Sequence, residues 1–345
     1  MMKKQTKDMK KIFLTSCLAL GLCACHNFDT DFPDFEYTTG YFPYQFPERV
    51  LVLGDYIYDN SNDNAHKFVI SVAMGGVYRN KQDRRFSFVV DESLCDGIRF
   101  SSKGTDIKAL PKSYYSLSND HEIVIPKGKF NGGIEVQLTD AFFQDPDAVK
   151  NTYVVPLRLT GSNDVDSLLV GQTSVPNADV RDKGQWAIAP KHFTLFGIKY
   201  INEWHGNYLH YGKSSVTDGA GARIESTEYS AQYLEQNDVY RLTTTARNQV
   251  SLTTHLKGEL FPKEVTMLFD FNGDDCTITS PEGSPYTVKG SGTFKKGAYS
   301  FGNKSRNGIA YSFTCTDGKN TYKAEDVLVA RDRAVTLETY TPVLK

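Results

Sequence analysis

From Thr39 to about Val170 apolar and polar residues alternate with a period of two, in runs short enough to be strands. Phe68, Ile70, Val72 and Met74 share one face, as do Phe86, Phe88 and Val90, then Ile134, Val136 and Leu138, then Val155, Leu157 and Leu159. Successive side chains on a pleated strand point to opposite faces, so each run predicts a strand half-buried against a core. Turn chemistry separates the runs at Gly75-Gly76, Asn80, Pro111, Pro126-Lys127-Gly128 and Asn131-Gly132-Gly133. Together they predict an antiparallel β-sandwich. One interruption, Asp140 to Lys150, predicts a short helical turn, with Asp140 placed to cap Ala141-Phe142-Phe143.

Gly171 to Pro190 mix Asn, Asp, Gly and Pro without apolar periodicity and predict a linker, with a domain boundary near residue 185. Strand patterns then resume at Tyr208 to Tyr211, Ile224 to Tyr233, Val239 to Thr245, Val250 to Leu256 and Val265 to Phe271. They continue at Cys276 to Thr279, Tyr286 to Val288, Gly308 to Thr316, Tyr322 to Val329 and Ala334 to Tyr340. Asn272-Gly273 is the hairpin signal between two of these runs, because a type I′ turn needs positive φ at both central residues. About nine or ten sequential strands on short turns predict an up-and-down barrel, which closes its own edges. The chain therefore reads as all-β: a sandwich over 39–175, a linker over 176–191 and a β-barrel over 192–345.

The first residues have a different pattern. Lys3, Lys4, Lys7, Lys10 and Lys11 precede the apolar run Ile12 to Leu22, which is too short to span a bilayer and ends in Leu22-Cys23-Ala24-Cys25. This predicts a lipoprotein signal peptide over 1–24, because the signal peptidase needs a small residue before the acceptor cysteine and Ala24 supplies it. Cys25 is the expected lipidation site, and 25–38 the expected tether. The ordinary alternative, a secretory peptide cut near Ala24, also exports the protein. Either way the expected location is outside the cytoplasm; lipidation adds a membrane anchor, expected at the outer membrane and cell surface.

Removing 24 of 345 residues leaves 321, enough for two domains with cores of their own. Five Lys and one Asp leave with them, and the remaining chain carries −6. With no basic field, nucleic acid is not an expected partner. Cys95, Cys276 and Cys315 are too few for a disulfide framework. Cys276 with Cys315 is the candidate bridge if their strands are neighbours, with buried free thiols as the default.

Catalytic patterns are missing from the sequence. It has no G-x-S-x-G elbow, H-E-x-x-H, C-x-x-C, G-x-G-x-x-G or Walker loop. His205 and His210, five apart on an expected strand, would point to opposite faces, so no metal or other cofactor is expected. Asp59 to Asn64 alternates oxygen side chains as a calcium loop does. It has Asn64 where that loop needs glycine and Ile70 where it needs glutamate, and so reads as a solvated turn. Glycoside hydrolysis needs two carboxylates at a set separation, and no spacing singles out a pair. Aromatic side chains remain, since a sugar's apolar face stacks on an exposed ring. Trp186, Tyr200, Trp204 and Tyr211 are the candidate carbohydrate-binding residues, with core packing as the competing role. Gly206-x-Tyr208 resembles the glycine and aromatic pair that plugs lipocalin-like barrels.

Several stretches carry a wider resemblance: Tyr41-Phe42-Pro43, Asp59-Asn60, Asp63-Asn64-Ala65-His66-Lys67-Phe68, Gly75-Gly76-Val77-Tyr78, Leu110-Pro111, Tyr114-Tyr115 and Leu138-Thr139-Asp140-Ala141-Phe142-Phe143. They resemble the immunoglobulin-like N-terminal domain of Bacteroidota surface lipoproteins, a group that includes secreted family-18 endo-β-N-acetylglucosaminidases. Lys199 onward resembles the lipocalin-like β-barrel that follows this domain in non-enzymatic members. The resemblance implies a carbohydrate-binding or adhesin-like role beside SusC- and SusD-like glycan importers. Family-18 catalysis is not implied, because the D-x-x-D-x-D-x-E motif is missing and the second domain is too short for a (β/α)8 barrel. Asp166-Ser167-Leu168 fits the short motif at which such bacteria attach O-glycans, and Asp29 and Asp31 resemble their acidic export signal. The expectation is a non-catalytic, lipid-anchored surface protein that binds glycan within an uptake system. The alternatives are an adhesin with a protein partner and, less favoured, a glycoside hydrolase.

Overall fold

The structure, a computed structural model, describes residues 34 to 345 except Glu36 and Leu337. Cys25, the signal segment and most of the tether lie outside the described residues. Among those described, no helix is long and apolar enough to cross a membrane.

The first domain holds β1 (Thr39–Tyr41), β2 (Pro47–Val52), β3 (Lys67–Gly75), β4 (Arg84–Val90), β5 (Ile98–Arg99) and β6 (Lys108–Ala109). It continues with β7 (Tyr115–Leu117), β8 (Glu122–Ile125), β9 (Asn131–Leu138), β10 (Tyr153–Gly161), β11 (Ser167–Leu168) and β12 (Phe193–Ile201). Two sheets face each other, ordered β11-β1-β3-β9-β7 and β2-β12-β10-β4-β8. The runs predicted from alternation are β3, β4, β9 and β10, and their apolar faces meet in one core with Phe42, Leu51, Phe142, Phe143 and Tyr200. Pairing is not purely antiparallel: β1 runs parallel to β11 and β2 to β12. β10 is buried from Tyr153 to Leu157 without alternation. The reason is a second, smaller core on the sheet's other face, where Val154, Phe193 and Leu195 pack with Leu94, Ile98, Phe100 and Tyr340.

The predicted helical turn is α2 (Asp140–Gln144), following α1 (Ser61–Asn64). Asp140 does not cap it; Thr139 holds the cap position without a side-chain bond, and Asp145 caps the next turn through the amide of Asp147 at 2.8 Å. In the would-be calcium loop, Asp63 accepts from the Arg49 guanidinium and, at 2.9 Å, from the amide of Val52. Ser167, of the glycosylation-like motif, lies in β11, and Asp166 accepts from the amide and hydroxyl of Thr38.

The boundary drawn at 175 and the linker at 176–191 are corrected by the structure. Phe193–Ile201 is a strand of the sandwich, not of the barrel, with β10 on one side and β2 on the other. The intervening segment is a loop folded onto the same domain: Gln172 bridges Ile188, and Arg181 donates to the carbonyls of Leu94 and Asp96 at 3.0 and 2.6 Å. Its polar composition serves these bonds, and composition alone does not separate such a loop from a linker. The junction is the short stretch from Asn202 to His205.

The second domain comprises β13 (Gly206–Thr217), β14 (Arg223–Tyr229), β15 (Asp238–Ala246), β16 (Gln249–His255), β17 (Glu264–Asn272), β18 (Asp275–Thr279), β19 (Thr287–Phe301), β20 (Lys304–Thr316) and β21 (Thr321–Asp332). β21 returns to pair with β13 over Asn207 to Thr217 and closes an eight-stranded antiparallel barrel. The ninth strand, β14, runs beside the second half of β13, while β15 runs beside the first half. Asn272 pairs with Asp275, so the hairpin loop is Gly273-Asp274, one residue later than the Asn272-Gly273 signal suggested. Ala334 to Tyr340 is not a barrel strand. The chain leaves the barrel after β21, adds β22 (Glu338–Thr339) to β2 and β23 (Val343–Leu344) to β5, and seats Tyr340, whose hydroxyl donates to the carbonyl of Leu195 at 2.5 Å.

Arg333 ties the two domains. Its guanidinium donates to the carbonyls of His205, Asn202, Leu53 and Asp55 at 2.8, 2.6, 3.0 and 2.6 Å. Two of these belong to the junction and two to the loop after β2.

Candidate functional site

The four aromatic candidates do not share a surface. Tyr200 is fully buried in the sandwich core, and its hydroxyl donates to the carbonyl of Phe143 at 2.9 Å. Trp204 takes the competing role, in the core: it is 5% exposed and stacks on Phe271 at 4.0 Å inside the end of the barrel nearest the sandwich. Tyr208, the aromatic of the lipocalin-like Gly206-x-Tyr208 pair, lies buried beside it and donates to the carbonyl of Trp204 at 2.8 Å. Trp186 is half-buried on the sandwich loop, its indole donating to the carbonyl of Asp179 at 2.8 Å. His205 precedes β13 rather than lying on it, and its Nδ1 accepts from the amide of Thr244 at 3.1 Å.

The candidate disulfide is corrected as well. Cys276 and Cys315 are free thiols. β19 runs between their strands, Cys276 level with Gly292 and Cys315 level with Val288. That offset, four residues along and two strands across, is well beyond the roughly 7 Å Cα limit for a bridge. Burial pushes the two thiols up to about 12 and about 11.

Tyr211 is different. β13 alternates Tyr208, His210, Ser214 and Val216 inward, so Tyr211 and Lys213 face out. Tyr211 lines a depression of about 430 Å³ with Lys213, Glu228, Ser230, Glu325 and Val327. A second depression of about 450 Å³, lined by Asp275, Ser291, Thr293 and Ser312, shares Ala310 and Tyr311 with the first. The two form one groove across the outer wall from β18 to β14. Six neighbouring strands span about 24 Å at the usual strand separation. That length suits a chain of sugar rings rather than one.

The floor is low because its outward side chains are small, at Ala310, Ser312, Ser291 and Thr293. The polar groups are held in place. Lys213 Nζ lies 3.0 Å from Glu325, and its hydrogen bond keeps that carboxyl below its ordinary value. The Thr293 hydroxyl donates to Asp275 at 3.0 Å. Near Tyr211, the ring of Tyr299 fills the space a side chain at Gly308 would take, and burial, then the Tyr211 hydroxyl, raise its pKa. Such a surface can stack a sugar face on tyrosine and exchange hydrogen bonds with its hydroxyls. Sequence reading found Tyr211 but missed the groove; the available signal was the outward run of small residues on β19 and β20.

The fold and groove define an all-β protein with a sandwich carrying a closed barrel. One solved structure matches nearly all of it: a Bacteroides ovatus protein of unknown function, 36% identical, with a TM-score of 0.84, covering 90% of this chain and 100% of that one. The chain belongs to the family of that protein. A family model for a domain of unknown function, DUF5627, matches residues 203–334, and another, described as an N-terminal domain, matches 35–166. The start of the first match, at 203, coincides with the junction at Asn202 to His205, while the second ends before the last strand of the sandwich. A multidomain Bacteroides ovatus protein including DUF1735 is 12% identical with a TM-score of 0.41, covering 85% of this chain and 94% of that one. Another from that organism, described provisionally as a carbohydrate binding protein, is 16% identical at 0.29, covering 70% and 66%. No curated protein matches the sequence.

Proposed function

We propose that this is a non-catalytic, lipid-anchored protein of the cell surface that binds a carbohydrate chain along the outer wall of its barrel, as part of a glycan-uptake system. The observation that carries the reading is the placement of Tyr211, an aromatic ring facing outward in a long groove edged by fixed polar groups. The sandwich serves as the mount, joined rigidly to the barrel through Arg333, and Cys25 carries the lipid. Affinity electrophoresis against host and plant glycans tests the binding. The wild-type protein is retarded by at least one glycan, and Tyr211→Ala weakens that retardation about tenfold, the order of one lost stacking contact. Absence of retardation across the panel overturns the reading. For the anchor, Cys25→Ala releases the protein from the membrane fraction; an unchanged distribution counts against lipidation.

One observation favours a protein partner as the second reading. Ile57 and Tyr58, on the loop after β2, are 78% and 68% exposed, and the rings of Tyr56 and Tyr58 pack at 5.4 Å. An apolar tip of this kind is an interaction surface in wait.

A further inference from the structure

Strand register gives the groove an internal order. Outward residues level with one another on neighbouring strands form rows that cross the wall. One row runs Tyr211, Val327, Ala310, Thr293 and Asp275. The next runs Glu228, Lys213, Glu325, Ser312, Ser291 and Thr277. The first row is mostly apolar or small, and the second is made of charges and hydroxyls. On the far side of the apolar row Leu209 and Val329 also face outward, yet both are buried, and the Tyr299 ring lies against Gly308 in the same row. Covered outward residues make a raised bank. The groove therefore has an apolar side under that bank and a polar side across from it.

The charges of these two rows are three carboxylates, Glu228, Glu325 and Asp275, against the Lys213 ammonium, a net −2. Lys213 is not open to an anion. Its Nζ lies 3.0 Å from Glu325, and Glu228 stands level with it on the other neighbouring strand. Lys323 and Lys289 lie one row beyond, with Thr314 between them. They bring the three rows to zero rather than to a positive field. A surface that holds a polyanion carries cations in excess of carboxylates where the chain lies, and this one does not.

Resting on the carbohydrate reading above, we infer that the groove takes a neutral glycan chain and excludes chains that carry uronate, sulfate or sialate groups. Sugar faces lie along Tyr211, Val327 and Ala310, and ring hydroxyls reach Ser312 and Ser291. An acidic chain repeats its charge along its length, so some of those charges meet Glu228, Glu325 or Asp275 wherever the chain is set down. Like charges placed together suppress a wrong partner without adding affinity for the right one. Glu228 and Glu325 are thus specificity-determining residues, and their role is exclusion.

Matched polysaccharides added to the electrophoresis panel test it. Hydroxyethylcellulose with carboxymethylcellulose, and dextran with dextran sulfate, differ in charge on one backbone; galactomannan and polygalacturonate widen the set. The wild-type protein is retarded by at least one neutral chain, equally at about 0.05 and 0.5 M salt because the ligand has no charge to screen. Acidic chains bind at least about tenfold more weakly. Glu228→Gln combined with Glu325→Gln frees Lys213, so an acidic chain retards that variant at low salt, while the neutral chain keeps its affinity within about threefold. Strong retardation of the wild type by an acidic chain, lost at high salt, overturns the neutral assignment and leaves carbohydrate binding standing. A double variant that still ignores every acidic chain overturns the role of the two carboxylates. Retardation by no chain at all removes the carbohydrate reading itself, and this inference with it.

Discussion

The sandwich and the barrel cover their sheets in different ways. In the sandwich Asp63, 2% exposed, meets the Arg49 guanidinium and a backbone amide, and Glu48 meets Lys199 at 2.6 Å. Buried nitrogens without a hydrogen-bond partner occur in both domains, at His192 Nδ1 in the sandwich and at the Trp204 indole and His210 Nδ1 in the barrel. The central sheet of the sandwich is covered on both faces, by its main core and by the smaller one under Tyr340. The barrel wall has a core on one face only, and its other face carries the groove. A sheet packed on two sides has its side chains committed to stability. A wall packed on one side has every second residue free for a ligand. Under the proposed function, this difference fits the first domain as the mount and the second as the binding surface.

The largest effect is expected where the two regions meet. Arg333→Ala removes a half-buried cation from four carbonyls and costs about 3 kcal/mol, the upper end for charge-assisted hydrogen bonds. Calorimetry is expected to show one transition for the wild type and separate sandwich and barrel transitions for the variant. A single, unshifted transition would mean that the domains do not rely on this clamp.

Acid sharpens the same comparison. Burial, and then Arg241, Arg333 and Lys199, push His205 down to about 3 at the barrel's entrance. The native imidazole is therefore neutral, while the unfolded chain takes up a proton below about 6.5. The unfolded state binds more protons in that window, so stability is flat above it and falls as the pH drops toward 3. Between pH 6.5 and 5 the loss from this group is about 2 kcal/mol. His192 and His66 shift in the same direction and add to the slope. Denaturant titrations at pH 6.5 and 5.0 measure it, and His205→Asn flattens the dependence by about one proton. An equal slope in the variant rejects His205 as the source.

The smallest effect concerns the thiols. A reductant leaves the melting temperature unchanged, because Cys276 and Cys315 are not bridged. Their raised pKa values keep both unreactive toward a thiol reagent until the barrel unfolds. A reductant-dependent melting temperature would contradict the register that separates them.

Much of this fold was written locally. Phe68 to Met74 and Ile134 to Leu138 alternate because one face of each strand is buried, and a period of two survives without knowing the partner strand. The boundary at 175 was misplaced because β12 finds its parallel partner β2 roughly 150 residues earlier, a pairing with no local mark. Trp204 was misread for a similar reason: a tryptophan at a strand entry looks the same whether its ring faces solvent or stacks on Phe271, which lies far along the chain. Of the candidate site, Tyr211 was visible as an aromatic residue and the groove was not. A groove needs Ala310, Thr293 and Lys213, from three different strands, to lie side by side.

By itself the sequence determined that the chain is all-β and that a sandwich precedes a barrel, because periodicity and turn residues are short-range properties. Only the tertiary structure decided where the domains join, that Cys276 and Cys315 stay apart, and that the rows of Tyr211 and Lys213 lie side by side across the wall. Those outcomes depend on strand order and register, which fix distances between residues that no local pattern relates.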